Sequence, residues 1–512
     1  MTANLDQAVQ GLPDRYPGPG GAVAVLRDGE VLVRHAWGWA DTELRLPFTP
    51  ETMALVCSIT KQFTCALLLD QFADPAALDD DVRQALPNLR QPPPSTRELC
   101  HNQSGLRDYW ALAMLCGAPV EGRFGPDDAR RLIAGTRSLQ FPPGTRYSYA
   151  NQNFRLLSDI IERRSGQPFA DQLRTRILDR AGMPHAVLNP DTSHVVGGGI
   201  GYEGSLQDGF RPAVNNIHWT GDAGMAASLD DMIAWERFID ASRDDADGLY
   251  NRLSAAQTFR DGAPASYGFG LSHAPLLGRA ATCHGGGLRG WRSFRAHIAA
   301  ERTSVVVLFN HMADPRAAAL DLLAALFDAP AVPAMPVEDW HGRFLEPETG
   351  LATWIEPSRD AVQQLHFAAQ PEPLTSTGTR LWQRDGEVWM DRPADHIRSR
   401  LARLADSRPA PVEGRFHAHE LGADLTCVLA GGVSYGAFSG ALGEGAMQPL
   451  VPFAPDIWLL PCPRALDYAA PGDWTLHFQR DASGHIANVR VGCWLAHGID
   501  FVRATGQGTA TA

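Results

Sequence analysis

Ser58 and Lys61 are the residues whose types and spacing most directly predict chemistry in this sequence. Lys61 is the only lysine among the 45 lysine and arginine residues of a 512-residue chain. An arginine could serve as any surface cation, but a guanidinium does not lose its proton near neutral pH, whereas an amine can. Residues three apart on a helix share a face, so Lys61 can take the hydroxyl proton of Ser58. The pair predicts a serine nucleophile with a lysine base.

The alternative is a chance Ser-x-x-Lys with a solvated lysine, because the pattern is short. The lone lysine argues against that alternative. The segment that follows, Lys61 to Asp70, is apolar on nearly all sides, which is typical of a helix buried in a core. Ser58 would then lie at the start of the helix, where free N–H groups can bind a developing oxyanion.

Further residues that suit this chemistry lie in three segments: Phe141–Asn151, Cys283–Gly287 and His101–Tyr109. Tyr149 and Asn151 follow a proline-glycine turn, and His284 precedes three glycines. Taken singly, Tyr149 could be a core aromatic, Asn151 a turn or cap residue and His284 structural. Together with Ser-x-x-Lys and in this order, they favour a catalytic interpretation.

In order and spacing these motifs resemble the serine β-lactamase and penicillin-binding-protein family and, within it, the D-stereospecific aminopeptidases. The resemblance covers the whole chain. It implies an α+β catalytic domain, an antiparallel sheet flanked by helices, followed by two small antiparallel β-barrel domains. It also implies a serine-type enzyme that releases small N-terminal D-amino acids, such as D-alanine, or glycine, from peptides, amides and esters.

The resemblance implies a role for each motif residue. Ser58 would form the acyl-enzyme, with Lys61 as its base. Tyr149 would be a second acid/base, since a neighbouring ammonium can lower the pKa of a phenol. Asn151 would bind the substrate amide, and the N–H groups of Ser58 and Gly287 would form the oxyanion hole. No metal or cofactor is expected.

His284 departs from the commoner pattern, in which Lys-Thr-Gly or Lys-Ser-Gly supplies a cation for a substrate carboxylate. A mostly neutral imidazole is a poor anchor for a carboxylate. We therefore expect His284 to contact substrate in an aminopeptidase or esterase rather than in a carboxypeptidase or lactamase. An aminopeptidase also needs a carboxylate for the free ammonium, and Asp467 and Asp473 are the candidates. Asp473 is taken as the binding residue, with solvated loop acids as the alternative.

The elements that must position these residues can be read from the sequence. Two β-rich runs around Asp28-Gly29 predict a hairpin over Gly21–Arg34. Helical patterns and one buried strand follow at 154–164, 229–241, 317–327 and 303–309. They predict an α+β catalytic domain over residues 1–328. The proline-rich residues 329–337 predict a linker.

An internal repeat fills the rest of the chain. Gly342-Arg343-Phe344 returns as Gly414-Arg415-Phe416, and Gln383-Arg384-Asp385 returns as Gln479-Arg480-Asp481. The repeat predicts similar domains over 338–411 and 412–512. The motifs are 42 positions apart in the first copy and 66 in the second, a surplus of 24. We expect the surplus within 448–472, as a loop that reaches the active site.

Composition narrows the class of partner. The formal charge of −13 argues against nucleic acid and anionic membranes, so we expect a small peptide or amide substrate with a free N-terminus. The N-terminus has no apolar leader segment, which predicts a cytoplasmic protein with free, buried cysteines. His417 and His419 could share a strand face, but without a third ligand a solvated face is preferred to a metal site. A homodimer is expected by analogy.

Two other functions stay open. One is a β-lactamase-like esterase or D,D-peptidase with the same serine, lysine and tyrosine. The other is a non-enzymatic sensor or scaffold of the penicillin-recognising fold, which predicts an unreactive Ser58.

Overall fold

The computed structural model describes residues 2–329, 340–357, 363–367, 370–374, 378–467 and 472–504. The predicted α+β class is confirmed. A region of helices around an antiparallel sheet is followed by two curled antiparallel sheets of half-barrel form. The proposed linker at 329–337 lies outside the described residues except for Ala329.

The first sheet has eight strands in the described chain, and every neighbouring pair is antiparallel. Their order is Tyr267–Gly268, Leu271–Leu276, Arg279–Leu288, Trp291–Ile298, Thr303–Phe309, Gly20–Arg27, Glu30–Asp41, Leu46–Pro47. The predicted hairpin is present, and its turn residues Asp28 and Gly29 have φ of 54° and 77°, as a tight Asp-Gly turn requires.

Helices cover both faces of this sheet. Successive side chains of strand Gly20–Arg27 therefore pack alternately into two different cores. Ala22 and Ala24 belong to a core that contains helix Thr60–Gln71, whereas Val23 and Val25 pack with helices Thr2–Gln10 and Pro315–Phe327. The other α-helices are Leu12–Arg15, Asp79–Ala85, Thr96–Cys100, Tyr109–Leu115, Pro126–Ala134, Asn151–Ser165, Phe169–Leu173, Leu229–Ala241 and Leu249–Leu253. Small sheets join Ala54–Leu55, Met225–Ala227 and Val187–Leu188; Tyr202–Ser205 and Gly209–Pro212; Gln257–Thr258 and Pro264–Ala265.

The second and third sheets occupy the repeat region. In order, the described strands of the second are Gln370–Pro373, Gln363–Phe367, Leu351–Pro357, Gly342–Glu346, Ile397–Arg403, Glu387–Arg392 and Arg380–Arg384. The main path of the third is Gly443–Glu444, Val433–Gly440, Ala423–Ala430, Gly414–Ala418, Ala496–Arg503, Ile486–Cys493, Trp474–Arg480, Ile457–Leu460 and Val451–Ala454, with Gln448–Pro449 paired to Val433–Gly440.

The two copies of the sequence repeat hold equivalent places in these sheets. Gly342 and Gly414 begin the first strand of each copy with φ of 135° and 137°. The phenylalanine two residues later pairs with the last strand in both, Phe344 with Arg403 and Phe416 with Arg503. Each arginine also stacks over its phenylalanine ring, at 5.0 and 5.3 Å.

The surplus of the second copy differs from the expected single loop. Residues 448–460 contain three strands, and irregular structure follows over 461–467, where the described segment ends. Short apolar runs on both sides of a turn at Asp456 explain the last two strands, and all four residues of Ile457–Leu460 are buried. Residues 461–467 run to the first region, where Arg289 bonds to the main chain of Ala465 and Asp467.

Three smaller expectations concern the cysteines, membranes and metals. All eight cysteines are free and buried. In the described chain, no helix is long and apolar enough to cross a membrane. His417 bonds to Asp424 at 2.8 Å, and the described residues contain no group of three or more potential metal ligands.

Candidate active site

Ser58 lies in the 3₁₀ turn Cys57–Ile59, directly before helix Thr60–Gln71. Cys57 has a left-handed φ of 50°, which is strained for a residue with a side chain. Two hydrogen bonds hold the turn: Thr60 Oγ1 donates to the carbonyl of Cys57 at 2.6 Å, and Ser293 Oγ donates to that of Val56 at 2.8 Å. The fold thus fixes the serine at a constrained corner.

Lys61 is fully buried and its amino group is surrounded by oxygens. Nζ lies 3.0 Å from Ser58 Oγ, 2.8 Å from Asn151 Oδ1 and 2.6 Å from the carbonyl oxygen of Asp222. Burial lowers the pKa of Lys61 to about 8, against the opposing influence of nearby carboxylates. A substantial fraction of the amine is therefore neutral at mildly alkaline pH and can accept the proton of Ser58.

Tyr149 is the second side chain that contacts the nucleophile. Its phenol is hydrogen-bonded to Ser58, and Lys61 Nζ lies 4.8 Å from the centre of its ring. The expected lowering of its pKa is wrong in direction. Burial raises the pKa of Tyr149 well above its ordinary value and outweighs the hydrogen bond to Ser58, which lowers it. The phenol therefore rests neutral, suited to donating or relaying a proton.

Asn151 begins helix Asn151–Ser165 and is nearly enclosed. Its Oδ1 faces Lys61, while its Nδ2 and main-chain N both donate to Asp108 Oδ2, at 2.9 and 2.6 Å. Asn151 also lines the cavity beside Ser58. Its contact with a substrate amide stays a prediction.

His284 lies in strand Arg279–Leu288 and is buried. Its Nδ1 lies 2.6 Å from the carbonyl of Gly285, which can only accept, so Nδ1 carries the proton. Nε2 therefore accepts from the hydroxyl of Tyr267 at 3.0 Å. Burial, with Lys61 nearby, lowers the pKa of His284 to about 3. The imidazole is therefore neutral, as expected for a histidine in the place where Lys-Thr-Gly would supply a cation.

A cavity of about 560 Å³ brings these groups together. Its lining includes most of the predicted site residues and additional charged groups: Ser58, Tyr149, Asn151, His284, Gly285, Gly286, Gly287, Arg292, Asp314, Arg316 and Asp467. Ser58 and Gly287 both face this space, which is the arrangement that an oxyanion hole between their N–H groups needs.

The third sheet supplies part of the cavity wall. Asp467, Trp494 and Leu495 line it, and the Arg289 N–H donates to the carbonyl of Asp467 at 2.9 Å. Asp473 lies elsewhere: its Oδ1 accepts from the N–H of Cys462 at 3.1 Å, and it is not among the described lining residues. Of the two candidate acids, Asp467 lines the cavity beside Ser58, whereas Asp473 contacts Cys462.

Three buried residues of the site were not assigned roles from sequence: Asp108, Asp222 and Tyr267. Asp222 holds Lys61 through its carbonyl and accepts from Tyr109 Oη at 2.5 Å through Oδ2. Asp108 falls within the segment His101–Tyr109 noted in the sequence, but its contact with Asn151 on another helix cannot be read from that segment. Tyr267 lies outside all the motifs identified in the sequence.

Comparisons with known proteins show the family of the chain. The family profile described as Beta-lactamase matches residues 5–329, and the profile described as D-aminopeptidase, domain B matches residues 333–502. A D-aminopeptidase of Gluconobacter oxydans (strain 621H) is 53% identical over 523 residues, covering 98% of this chain and 99% of that protein. A D-aminopeptidase of Brucella melitensis biotype 2 (strain ATCC 23457) is 47% identical over 512 residues, covering 98% of both.

Solved structures show the same fold at lower identity. The D-amino acid amidase of Ochrobactrum anthropi SV3, complexed with D-phenylalanine, superposes with a TM-score of 0.52 at 19% identity, covering 64% of this chain and 100% of that one. The octameric penicillin-binding protein homologue of Pyrococcus abyssi gives 0.54 at 18% identity, covering 87% and 99%. At these identities the likeness concerns the fold alone.

Proposed function

Because the chain belongs to the serine β-lactamase family and, over its full length, to the D-aminopeptidases within it, we propose that it releases N-terminal D-amino acids from peptides, amides and esters. The amino acids released are small, such as D-alanine, or glycine. The observation that carries the proposal is the 3.0 Å contact between Ser58 Oγ and the buried amine of Lys61. The homodimeric state and cytoplasmic location remain predictions.

The chemistry begins at this contact. Neutral Lys61 takes the proton of Ser58 while Oγ forms a bond to the first carbonyl carbon of the substrate. The N–H groups of Ser58 and Gly287 stabilise the oxyanion. The neutral phenol of Tyr149 donates its proton to the leaving amine as the carbon–nitrogen bond breaks, and regains one from Lys61. The product is a D-aminoacyl ester on Ser58.

Water completes the cycle. Lys61 and Tyr149 act as one relay that accepts a proton from water as the water oxygen bonds to the ester carbonyl carbon, and the relay returns this proton to Ser58 Oγ as the ester bond breaks. The free D-amino acid then departs. Each step uses groups that line the cavity or contact Ser58, and no other group is required.

Two residues of the cavity lining, Asp467 and His284, support a substrate with a free ammonium, although Arg292 and Arg316 line the same cavity. Asp467 can pair with that ammonium, while neutral His284 offers no cation to a C-terminal carboxylate. An esterase with the same machinery is the second candidate, because the arrangement of Ser58, Lys61 and Tyr149 would also cleave simple acyl esters.

The test incubates the purified protein with D-alanine p-nitroanilide, its L enantiomer and p-nitrophenyl acetate, alongside Ser58→Ala. Of the two anilides, we expect the protein to hydrolyse only the D form. We expect Ser58→Ala to lose this activity. Hydrolysis of acetate alone would replace the proposal by the esterase. Equal turnover of both enantiomers would contradict D specificity, and no turnover of any substrate would reject the hydrolase assignment.

A further inference from the structure

We propose that Asp108 is a positioning residue that orients Asn151 and, through it, keeps the amine of Lys61 beside Ser58. We also propose that the third sheet fixes the main chain of Asp108. The proposal rests on the proposed function of Ser58 and Lys61. Asp108 contacts neither substrate nor nucleophile in this mechanism, so its effect must pass through a neighbour.

The carboxylate of Asp108 has donors on both sides. It is fully buried at the start of helix Tyr109–Leu115. Oδ1 accepts from the N–H groups of Trp110 and Ala111, at 3.0 and 3.4 Å. Oδ2 accepts from the main-chain N and the Nδ2 of Asn151, at 2.6 and 2.9 Å. Only a carboxylate can accept from both sides at once.

This arrangement decides which way the amide of Asn151 points. Because Nδ2 donates to Asp108, the other end of the amide, Oδ1, faces Lys61 Nζ at 2.8 Å. A reversed amide would place an N–H donor against an amino group that itself donates. Asp108 therefore keeps an acceptor in front of Lys61 and keeps the amine within reach of Ser58.

The charge of Asp108 also acts on Lys61. Burial is the largest influence on the pKa of Lys61 and lowers it, while Asp222, Asp108 and Asp467 raise it in that order. The other polar and titratable groups near Nζ are Ser58, Cys57, Tyr149 and His284. Removing the carboxylate of Asp108 therefore lowers the pKa of Lys61 further.

The third sheet fixes the main chain at this position. The N–H of Asp108 donates to the carbonyl of Leu495 at 2.9 Å. Leu495 lies in the turn between strands Ile486–Cys493 and Ala496–Arg503 and lines the cavity. A chain of hydrogen bonds thus runs from this turn through Asp108 and Asn151 to Lys61.

The experiment compares Asp108→Asn with the full-length wild type on D-alanine p-nitroanilide over a range of pH. The amide introduced by Asp108→Asn has one carbonyl, which can accept at the helix start or from Asn151 but not at both. We expect kcat to fall by about 100-fold with KM changed less than about threefold, since Asp467 and the N–H groups of Ser58 and Gly287 stay in place for the substrate while the base is misplaced. The acid limb of kcat/KM should move down by about one pH unit, because a carboxylate near the amine is lost.

A second variant, Asp108→Ser, keeps a cap for the helix and removes the contact with Asn151. It should show the same shift and a melting temperature closer to wild type. Asp231→Asn is the matched control: Asp231 is also buried and accepts from the N–H groups of His185 and Ser228, but does not figure among the charges acting on Lys61. It should leave the acid limb in place.

The outcomes separate the two proposals. A wild type without D-specific turnover overturns the proposed function. An active wild type with an acid limb unchanged in Asp108→Asn and Asp108→Ser overturns the role of Asp108. A shift of equal size in Asp231→Asn would also overturn it, because any buried carboxylate would then suffice.

Discussion

The guanidinium of Arg107 donates from Nε to the carbonyl oxygen of His497 at 2.9 Å and so joins positions 390 residues apart in sequence. Its Nη1 donates to the carbonyl of Ser138 at 3.0 Å and lies 3.5 Å from the carboxylate of Glu420. Arg107 is only 6% exposed. It is therefore a buried tie between the loop before Asp108 and the third sheet.

Arg107→Met should lower the free energy of unfolding by about 2–4 kcal/mol, because buried carbonyl groups lose their donor and Glu420 loses its cation. Urea denaturation of the full chain measures the loss. Arg130→Met is the control, since Arg130 makes an exposed ion pair with Asp127, and it should change stability by less than about 0.5 kcal/mol. Equal stability of the two variants would contradict the buried tie.

Lys61→Arg should reduce kcat/KM by about 10³-fold or more although it keeps the positive charge, because a guanidinium cannot serve as the base. In the wild type, kcat/KM should rise with pH through about 8, the pKa of Lys61, since the protonated amine below that pH cannot take the proton of Ser58. A pH profile of anilide hydrolysis measures both. A fully active Lys61→Arg would exclude proton transfer to this residue.

Gly286→Ala should impair the nucleophile turn. A Cβ at Gly286 would lie 2.2 Å from both Ser293 Oγ and the carbonyl oxygen of Val56, so the turn before Ser58 must shift. We expect kcat to fall by about 100-fold. Gly285→Ala is the neighbouring control, because its Cβ meets nothing closer than 3.8 Å. Similar kcat values for the two variants would show that the turn tolerates displacement.

Asp467→Asn should raise KM for D-alanine p-nitroanilide by about tenfold, because an amide pairs less strongly with an ammonium than a carboxylate does. Hydrolysis of an ester without an amino group should change little. Asp473→Asn should leave both KM values near wild type, since Asp473 faces Cys462. Steady-state kinetics on the two substrates decides the matter, and a KM effect confined to Asp473→Asn would reverse the assignment.

The sequence predicts the parts of the site that depend on residue type and order. One cavity is lined by five residues that were identified from their sequence motifs: Ser58, Tyr149, Asn151, His284 and Gly287. Their individual roles remain predictions. The α+β class and the repeated sheets also follow from local patterns such as Asp-Gly turns and recurring Gly-Arg-Phe.

Burial and the direction of loops could not be predicted in the same way. The pKa of Tyr149 rises because the phenol is enclosed, and enclosure comes from elements distant in sequence. Asp467 and Asp473 have similar sequence surroundings, and only the path of residues 461–467 distinguishes them. Asp108 meets Asn151 through packing of two helices, which no short motif records.

Strand Gly20–Arg27 lies between Glu30–Asp41 and Thr303–Phe309 in the first sheet. During synthesis on the ribosome, this apolar strand therefore emerges long before one of its two partners. One edge of this strand stays unpaired until Thr303–Phe309 has been synthesised. The hydrogen bond from Asp108 to Leu495 can form only after the last strands have been synthesised. A growing chain thus carries Ser58 and Lys61 through most of translation before the third sheet can bond to the loop that contains Asp108.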